Sequence, residues 1–372
     1  VREDDESHPF RAVLAGDADG ACFDGPGFGE PVAAVAPVEI IAGGPDEWDA
    51  IERGVRALPP GGRLAGWFNY DGAFTFGLFP KWQPLVVSAP RGTAGRSLPV
   101  FAPRMTRGEW VERVRRVREY IAAGDIYQVN LTHALVAEWP GEAGWFYPFL
   151  RHASPAPYSC FLRLGGTTVV SSSPECFLHI AGRSILTRPI KGTRPRTAGA
   201  GDAAAVHELT HSEKERAELV MITDLERNDL GQVCEYGSVR VSALCRLESF
   251  AQVHHLVSTV EGTLRPGVSA VEAVRACYPG GSITGAPKKR AREIIAELEP
   301  APRGIYTGAL GWFGADGTAV FNIAIRTLVV RAGVATFGVG AGIVADSEPE
   351  AEYDETLHKA GGLRAALAAA GG

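Results

Sequence analysis

The chain has 372 residues, with Lys plus Arg at 37 against Asp plus Glu at 43, for a formal net charge of −6. Hydrophobic residues at 45% and charged residues at 22% describe an ordinary globular composition in a chain long enough for a large core. The mild acidity argues against a nucleic-acid binder, which needs a basic face, and no apolar run approaches the roughly 18 residues of a membrane span.

The start, Val1-Arg-Glu-Asp-Asp-Glu-Ser-His, has neither the apolar core of a secretory signal nor the Arg-rich character of a transit peptide. Its missing Met suggests trimming or an alternative start codon. Residues 1–105 are rich in Gly, Pro and Ala, with strand-like pieces at 37–42 and 63–70. The stretch Ser88–Pro99 reads as a loop and a soft boundary between a short N-terminal region, 1–105, and a main region, 106–372. Thr106–Ala123 reads as a helix, because Trp110, Val111, Val114, Val117 and Ile121 recur at helical spacing and Gly124 ends it. Strands follow at Ile126–Thr132, Cys160–Leu164, Thr167–Ser171 and Cys176–Ile180. Ser212-Glu-Lys-Glu215 has capping-box spacing and opens a helix to about Arg227. Further helices are expected at Ser269–Ala276 and from Pro287, which suits a first helical position. Gly304–Val344 reads as three long strands with turns at Gly314-Ala-Asp-Gly317 and Arg331-Ala-Gly333. Ser347-Glu-Pro-Glu350 repeats the capping-box pattern before a C-terminal helix. No internal repeat is visible. Runs of strands joined by hairpins, with helices between the runs, predict an α+β fold with antiparallel sheets. Six cysteines are scattered without a C-x-x-C pair, which predicts buried free thiols in a cytoplasmic protein rather than a zinc site or a disulfide framework.

Glu215 and Glu218 stand at i, i+3 on one helix, and Glu352 and Glu355 at i, i+3 on another, so each pair shares a side of its helix. Two such pairs on one cleft would hold Mg²⁺, which takes one or two carboxylates and leaves positions for water and an anionic substrate. On spacing alone each pair is more often a solvated helix face, and Glu215 is also explained by its cap. In Tyr278-Pro-Gly-Gly-Ser-Ile-Thr-Gly-Ala-Pro-Lys a Gly-rich turn enters a helix, where free amides favour an anion and Ser282 and Thr284 add hydroxyls. The Walker A spacing is absent, and a tight turn with no ligand is the plain alternative. Lys191, in Arg188-Pro-Ile-Lys-Gly-Thr-Arg, becomes a nucleophile if held in a partly apolar pocket, and is otherwise a surface lysine. Glu175 is a general acid only if burial raises its pKa. A histidine in the apolar setting of His254-His255 is more often a satisfied core residue than a catalyst. Arg326 lies in Asn322-Ile-Ala-Ile-Arg-Thr-Leu-Val-Val, read as a central strand, where it needs a buried partner such as a ligand carboxylate.

Together these segments resemble the chorismate-utilising enzymes. The matching stretches are Gly124-Asp-Ile-Tyr-Gln-Val-Asn, Pro189-Ile-Lys-Gly-Thr-Arg, Glu218-Leu-Val-Met-Ile-Thr-Asp-Leu-Glu-Arg-Asn-Asp and His254-His-Leu-Val-Ser. They continue with Gly281-Ser-Ile-Thr-Gly-Ala-Pro-Lys, Arg303-Gly-Ile-Tyr-Thr-Gly, and Gly340-Ala-Gly-Ile-Val-Ala-Asp-Ser through Glu355-Thr. The N-terminal third matches mainly at Gly66-Trp-Phe-Asn-Tyr-Asp and looks shorter than is usual in the family.

The resemblance implies a single α+β unit of two large antiparallel sheets packed on each other with helices outside. It implies Mg²⁺ on Glu218 and Glu355, with Glu215 and Glu352 beside them, and the ring carboxylate of chorismate on the metal near Gly192 and Thr193. It also implies that Tyr306, Arg326 and the Gly340 backbone hold the enolpyruvyl carboxylate, while Lys359 adds positive charge. Water-using members place a lysine where this chain has Gln128, which points to ammonia as the nucleophile. Anthranilate synthases carry Ala where this chain has Lys191, and aminodeoxychorismate synthases carry Lys. The implied reaction is attack of Lys191 on C2 while Glu175 protonates the departing C4 hydroxyl, then attack of ammonia on C4, with His255 orienting the ring. The chain has no G-x-C-x-G elbow, so ammonia is expected from a glutaminase subunit or fused domain. Rival expectations are anthranilate formation, amination at C2 in secondary metabolism, and a non-catalytic chorismate-binding subunit.

Overall fold

The computed structural model describes residues 9–85, 98–197, 199–250 and 252–371. The acidic start and all but the last two residues of the expected Ser88–Pro99 loop lie outside these. The described residues fold into two ten-stranded antiparallel sheets. The first orders the strands Gly285–Ala286, Gln128–Glu138, Val334–Ile343, Thr327–Arg331, Thr167–Ser173, Tyr158–Leu164, Gly20–Phe23, Val32–Val35 and Gln83–Pro84. The second orders Ile190–Pro195, Val253–Thr263, Ser184–Arg188, Cys176–Ala181, Ala319–Ile323, Ala309–Gly314, Arg63–Phe68, Phe74–Phe79 and Glu39–Gly43. Ala102–Pro103 adds to the Gln128 strand, and Arg240–Ser249 to the Val253 strand. Strands from before residue 106 thus enter both sheets.

The sheets pack face to face through side chains such as Phe23, Leu162 and Val169 from the first and Trp67, Phe79 and Leu310 from the second. Helices cover the outer faces. Trp110, Val114 and Val117 of the helix Arg107–Ala122 bury against Leu131, Ala341 and Ile343. Ile51 and the helix Ala270–Cys277 cover the second sheet. The Arg107 helix is the expected one, with a reciprocal Thr106–Glu109 capping box. Gly124 closes it at φ +83°, a conformation that costs glycine least. All six cysteines are free and buried, and no helix among the described residues is long and apolar enough to cross a membrane.

Several expectations are corrected. Ser212 does cap the helix Glu213–Gly231 by accepting from the Glu215 amide. The Glu215 carboxylate does not complete a box, because it faces Arg194 at 3.5 Å. Ser347 is not a cap at all. Its hydroxyl donates to Glu352 at 2.7 Å and accepts from the Val344 amide at 3.1 Å, closing the turn, so Glu348 is the N-cap and Pro349 opens the helix Pro349–Lys359. The chain then enters a separate helix, Gly361–Gly371, at a Gly-Gly pair. Pro287 is the N-cap rather than the first helical residue, because the chain arrives extended from the short strand Gly285–Ala286. Gly304–Val344 holds four strands, not three. The segment read as one apolar strand around Arg326 is broken there. Ala319–Ile323 belongs to the second sheet and Thr327–Arg331 to the first, and Arg326 sits between them at φ +49°.

Candidate active site

The site lies where edge strands of the two sheets face each other. From the second sheet come Ile190–Pro195 and Val253–Thr263. Their register slips at Gly192, an extra residue at φ +72° between Lys191, opposite Leu256, and Thr193, opposite His255. Such bulges re-aim side chains. Lys191 Nζ reaches the Ser282 carbonyl at 3.4 Å and lies close to Gly342 of the first sheet. A Cβ at Gly342 would stand 2.7 Å from Gln128 Nε2, forcing that amide to shift, and 3.6 Å from Lys191 Nζ, in ordinary contact. Gln128 is fully buried, and neither amide atom has a hydrogen-bond partner.

Adjacent histidines on the Val253 strand point to opposite faces. His254 is the satisfied one, bonded to Ser249 at 2.7 Å and Asp202 at 3.1 Å. His255 faces the cleft. Its Nδ1 lies 2.8 Å from Thr193 Oγ1 and 3.4 Å from the Gly192 carbonyl, and its buried Nε2 is unpartnered. Burial, with Arg326 nearby, pushes its pKa down to about 3, so the ring is neutral at pH 7.

Glu175 and Arg326 occupy neighbouring crossovers between the sheets. Glu175 lies between Thr167–Ser173 and Cys176–Ala181, and its carbonyl accepts from the Ile323 amide at 3.1 Å. Burial pushes its carboxyl up to about 7, only partly offset by the Ser282 hydroxyl, the Lys191 ammonium, a backbone amide and Arg326. This meets the condition for a general acid near neutral pH. Burial lowers Arg326, with Glu175 opposing, and its guanidinium makes no ion pair or side-chain hydrogen bond among the described residues. Ser282 Oγ is also buried, beside the Glu175 carboxyl that it helps to hold down. Gln128 and His255 thus present unanswered polar atoms beside an arginine that makes no ion pair among the described residues, which are groups that a polar, anionic ligand would answer.

The helices Glu213–Gly231 and Pro349–Lys359 bring the four glutamates together. Burial raises Glu218; Lys191 opposes this, while Glu215 and Glu352 repel the charge further. Burial also raises Glu352, whose carboxylate is 3.8 Å from Lys214. Glu355 is 53% exposed, and Lys359 at 2.9 Å, with Lys214 and Lys191, outweighs its desolvation and lowers it. Glu215 lies over Gly192. Among the described residues no three carboxylate, imidazole or thiol groups converge as a ready metal cage. The donor chemistry fits an ion held by a carboxylate pair, waters and a ligand carboxylate.

Lys359 Nζ donates to the Gly340 carbonyl at 2.8 Å, joining two expected binding residues directly. Tyr306 packs its ring on Gly338, two residues before Gly340 in the same strand. Thr284 turns inward, bonding the Gly280 and Gly281 carbonyls, and so shapes its loop rather than facing a ligand. Sequence reasoning missed Glu226, fully buried on the Glu213–Gly231 helix. It accepts from Thr187 at 2.7 Å and is pushed up by burial and by Glu175. Its signal was a helical stripe with Glu218 and Ile222. Also missed was the buried pair Glu299–Arg303, which at i, i+4 reads as an ordinary surface pair.

Residues 87–365 match the family described as chorismate binding enzyme. The chain is 48% identical over 77% of its length to anthranilate synthase component 1 of Streptomyces coelicolor, covering 56% of that protein. It is 45% identical over 72% of its length to aminodeoxychorismate synthase component 1 of Bacillus subtilis, covering 57% of it. It therefore spans little more than half the length of these relatives. Among solved structures, anthranilate synthase component I from Streptococcus pneumoniae superposes with a TM-score of 0.78 at 29% identity, covering 88% of this chain and 90% of that one. The menaquinone-specific isochorismate synthase of Escherichia coli shares the fold, with a TM-score of 0.79 at 18% identity, covering 94% and 88%. By motif, by fold and by the family match over most of its length, the chain belongs to the chorismate binding enzymes.

Proposed function

We propose that this chain converts chorismate and ammonia to 4-amino-4-deoxychorismate, as the aminating component of an aminodeoxychorismate synthase. The observation that carries this reading is Lys191. Its ammonium reaches across the cleft to Gly342 and Ser282, in electrostatic reach of the raised carboxyl of Glu175. Identity does not choose between the relatives, since those named for anthranilate and for aminodeoxychorismate match equally well.

In this reading Lys191 gives its ammonium proton to solvent and its amine forms a bond to C2. Both ring double bonds shift, the C4–O bond breaks, and Glu175 gives its proton to the departing oxygen, which leaves as water. Ammonia then bonds to C4, both double bonds return, and the C2–N bond breaks to release Lys191 as an amine. The Glu175 carboxylate recovers its proton from the new ammonium. Neutral His255 orients the ring through its free Nε2, and Gln128, an amide rather than a base, leaves water unactivated. Arg326, Tyr306 and the Gly340 strand hold the enolpyruvyl carboxylate, with Ser282, Gly192 and Thr193 near the ring and Lys359 adding charge. Glu218 and Glu355, with Glu215 and Glu352 behind them, would hold Mg²⁺, which supplies an electron-withdrawing contact to the ring carboxylate. A glutaminase partner or fused domain supplies ammonia, and the reaction belongs to the cytoplasm, in 4-aminobenzoate and folate formation or secondary metabolism.

The test is chorismate, Mg²⁺ and ammonium with and without added aminodeoxychorismate lyase, products being read by chromatography and mass spectrometry. 4-Aminobenzoate appearing only with the lyase supports the reading. Anthranilate would instead support a second reading, the aminating component of an anthranilate synthase, a relative of which matches at 48% identity. No turnover despite chorismate binding would leave a non-catalytic subunit.

A further inference from the structure

Arg303 lies outside the cleft, 2% exposed, and all of its guanidinium donors are used. Nε and Nη2 bond the two oxygens of Glu299 at 2.8 and 2.7 Å. Nη2 also donates to the Asn130 carbonyl at 2.6 Å, and Nη1 to the Ile283 carbonyl at 2.8 Å and Thr307 Oγ1 at 3.2 Å. Glu299 in turn accepts from the amide and hydroxyl of Thr132, both at 2.9 Å. Each of these contacts lies beside a cleft residue. Ile283 follows Ser282, Thr307 follows Tyr306, Asn130 is two residues from Gln128, and Thr132 pairs with Gly340 in the sheet. Tyr70, from the Gly66-Trp-Phe-Asn-Tyr-Asp motif, lies over the guanidinium at 4.3 Å and bonds Gly304 through its amide.

We propose that Arg303, backed by Glu299 and covered by Tyr70, is a positioning residue that sets the spacing between the Ser282 loop, the Gln128 strand and the Tyr306 turn. This rests on the proposed function for its kinetic readout only. A buried ion pair is a poor source of net stability, because desolvation offsets its attraction, so a five-donor pair tied to backbone carbonyls is better explained by the geometry it imposes. It also gives the N-terminal motif a place in the site without any of its residues touching the ligand.

The test is Arg303→Lys, which keeps the charge but loses the planar fork. It is measured well below its melting temperature, with circular dichroism to establish that it is folded. With the spacing lost, kcat/KM for chorismate should fall about a hundredfold, mainly in kcat, as displacements near 1 Å can cause. A crystal structure should show Ser282 and Gln128 moved apart by a comparable amount. A folded variant with kcat/KM within about twofold of wild type and an unmoved Ser282 overturns the proposal. If Arg303→Lys does not fold, Glu299→Gln is measured in its place, with the same expected losses and the same overturning result. If the wild type makes no aminated product, the functional reading fails, and the crystallographic displacement alone decides the positioning role.

Discussion

Glu175 and Arg326 stand side by side because the chain changes sheets at both. The Ser172 amide donates to the Arg326 carbonyl at 3.1 Å, and the Ile323 amide to the Glu175 carbonyl at the same distance. Two crossovers locked together in this way bring an acid and a cation to one end of the sheet interface, each desolvated by the same packing. Burial raises Glu175 and lowers Arg326, and the attraction between them opposes both shifts.

The raised Glu175 carboxyl links pH to stability and to rate. Its pKa of about 7 in the fold exceeds the ordinary 4.5, so between these values the native state holds a proton that the unfolded chain has released. Stability therefore falls as pH rises through this window, by roughly 3 kcal/mol in total. Glu175→Gln should melt higher than wild type at pH 8 and about equally at pH 4, by calorimetry. The same substitution should lower kcat about 10²- to 10⁴-fold. In the wild type, kcat/KM at fixed free ammonia should decline above about pH 7, as the acid form disappears. An unaltered rate in Glu175→Gln would remove it from the mechanism.

Lys191→Ala should abolish most C4-aminated product or redirect amination to C2, since it opens space beside Gly342. Mass spectrometry of wild-type protein quenched during turnover with chorismate, before ammonium is added, should reveal an adduct on the peptide carrying Lys191. An unchanged product and rate in the variant would refute both its nucleophilic and its steric role.

The two glutamate pairs should separate by rank. Glu218→Gln and Glu355→Gln are expected to lose Mg²⁺-dependent turnover. Glu215→Gln and Glu352→Gln should weaken Mg²⁺ about 10- to 100-fold, as expected of outer groups. Calorimetric Mg²⁺ titration in the presence of chorismate reads this without relying on rate. Equal effects at all four positions would contradict the ranking.

Arg326→Met should raise KM for chorismate about 10- to 100-fold, the worth of one charge-assisted hydrogen bond. The variant should fold at least as well as wild type, because it deletes a desolvated cation that makes no ion pair or side-chain hydrogen bond among the described residues. A lower melting temperature with unchanged KM would assign Arg326 to the fold.

What could be read in advance depended on range. The Arg107–Ala122 helix was legible because its apolar spacing and its end signals are local. Strand edges were less so, since Gln128–Glu138 runs well past the expected Thr132 by pairing along the whole of Val334–Ile343. Ser347 had the right spacing for a cap but a stronger claim from Glu352 and Val344. The break at Arg326 carries no sequence mark, because its left-handed backbone is imposed by two sheets meeting there. The candidate site residues were named largely through family likeness. Burial and unanswered polar atoms, which give Gln128 and His255 their meaning, exist only in three dimensions.

Because Lys191 and His255 come from an edge of one sheet and Gln128 and Gly340 from an edge of the other, neither sheet alone contains the cleft. The site exists only where the two sheets are docked on each other. Loss of turnover and loss of tertiary structure should therefore coincide during denaturant titration, and catalysis becomes a gauge of global folding.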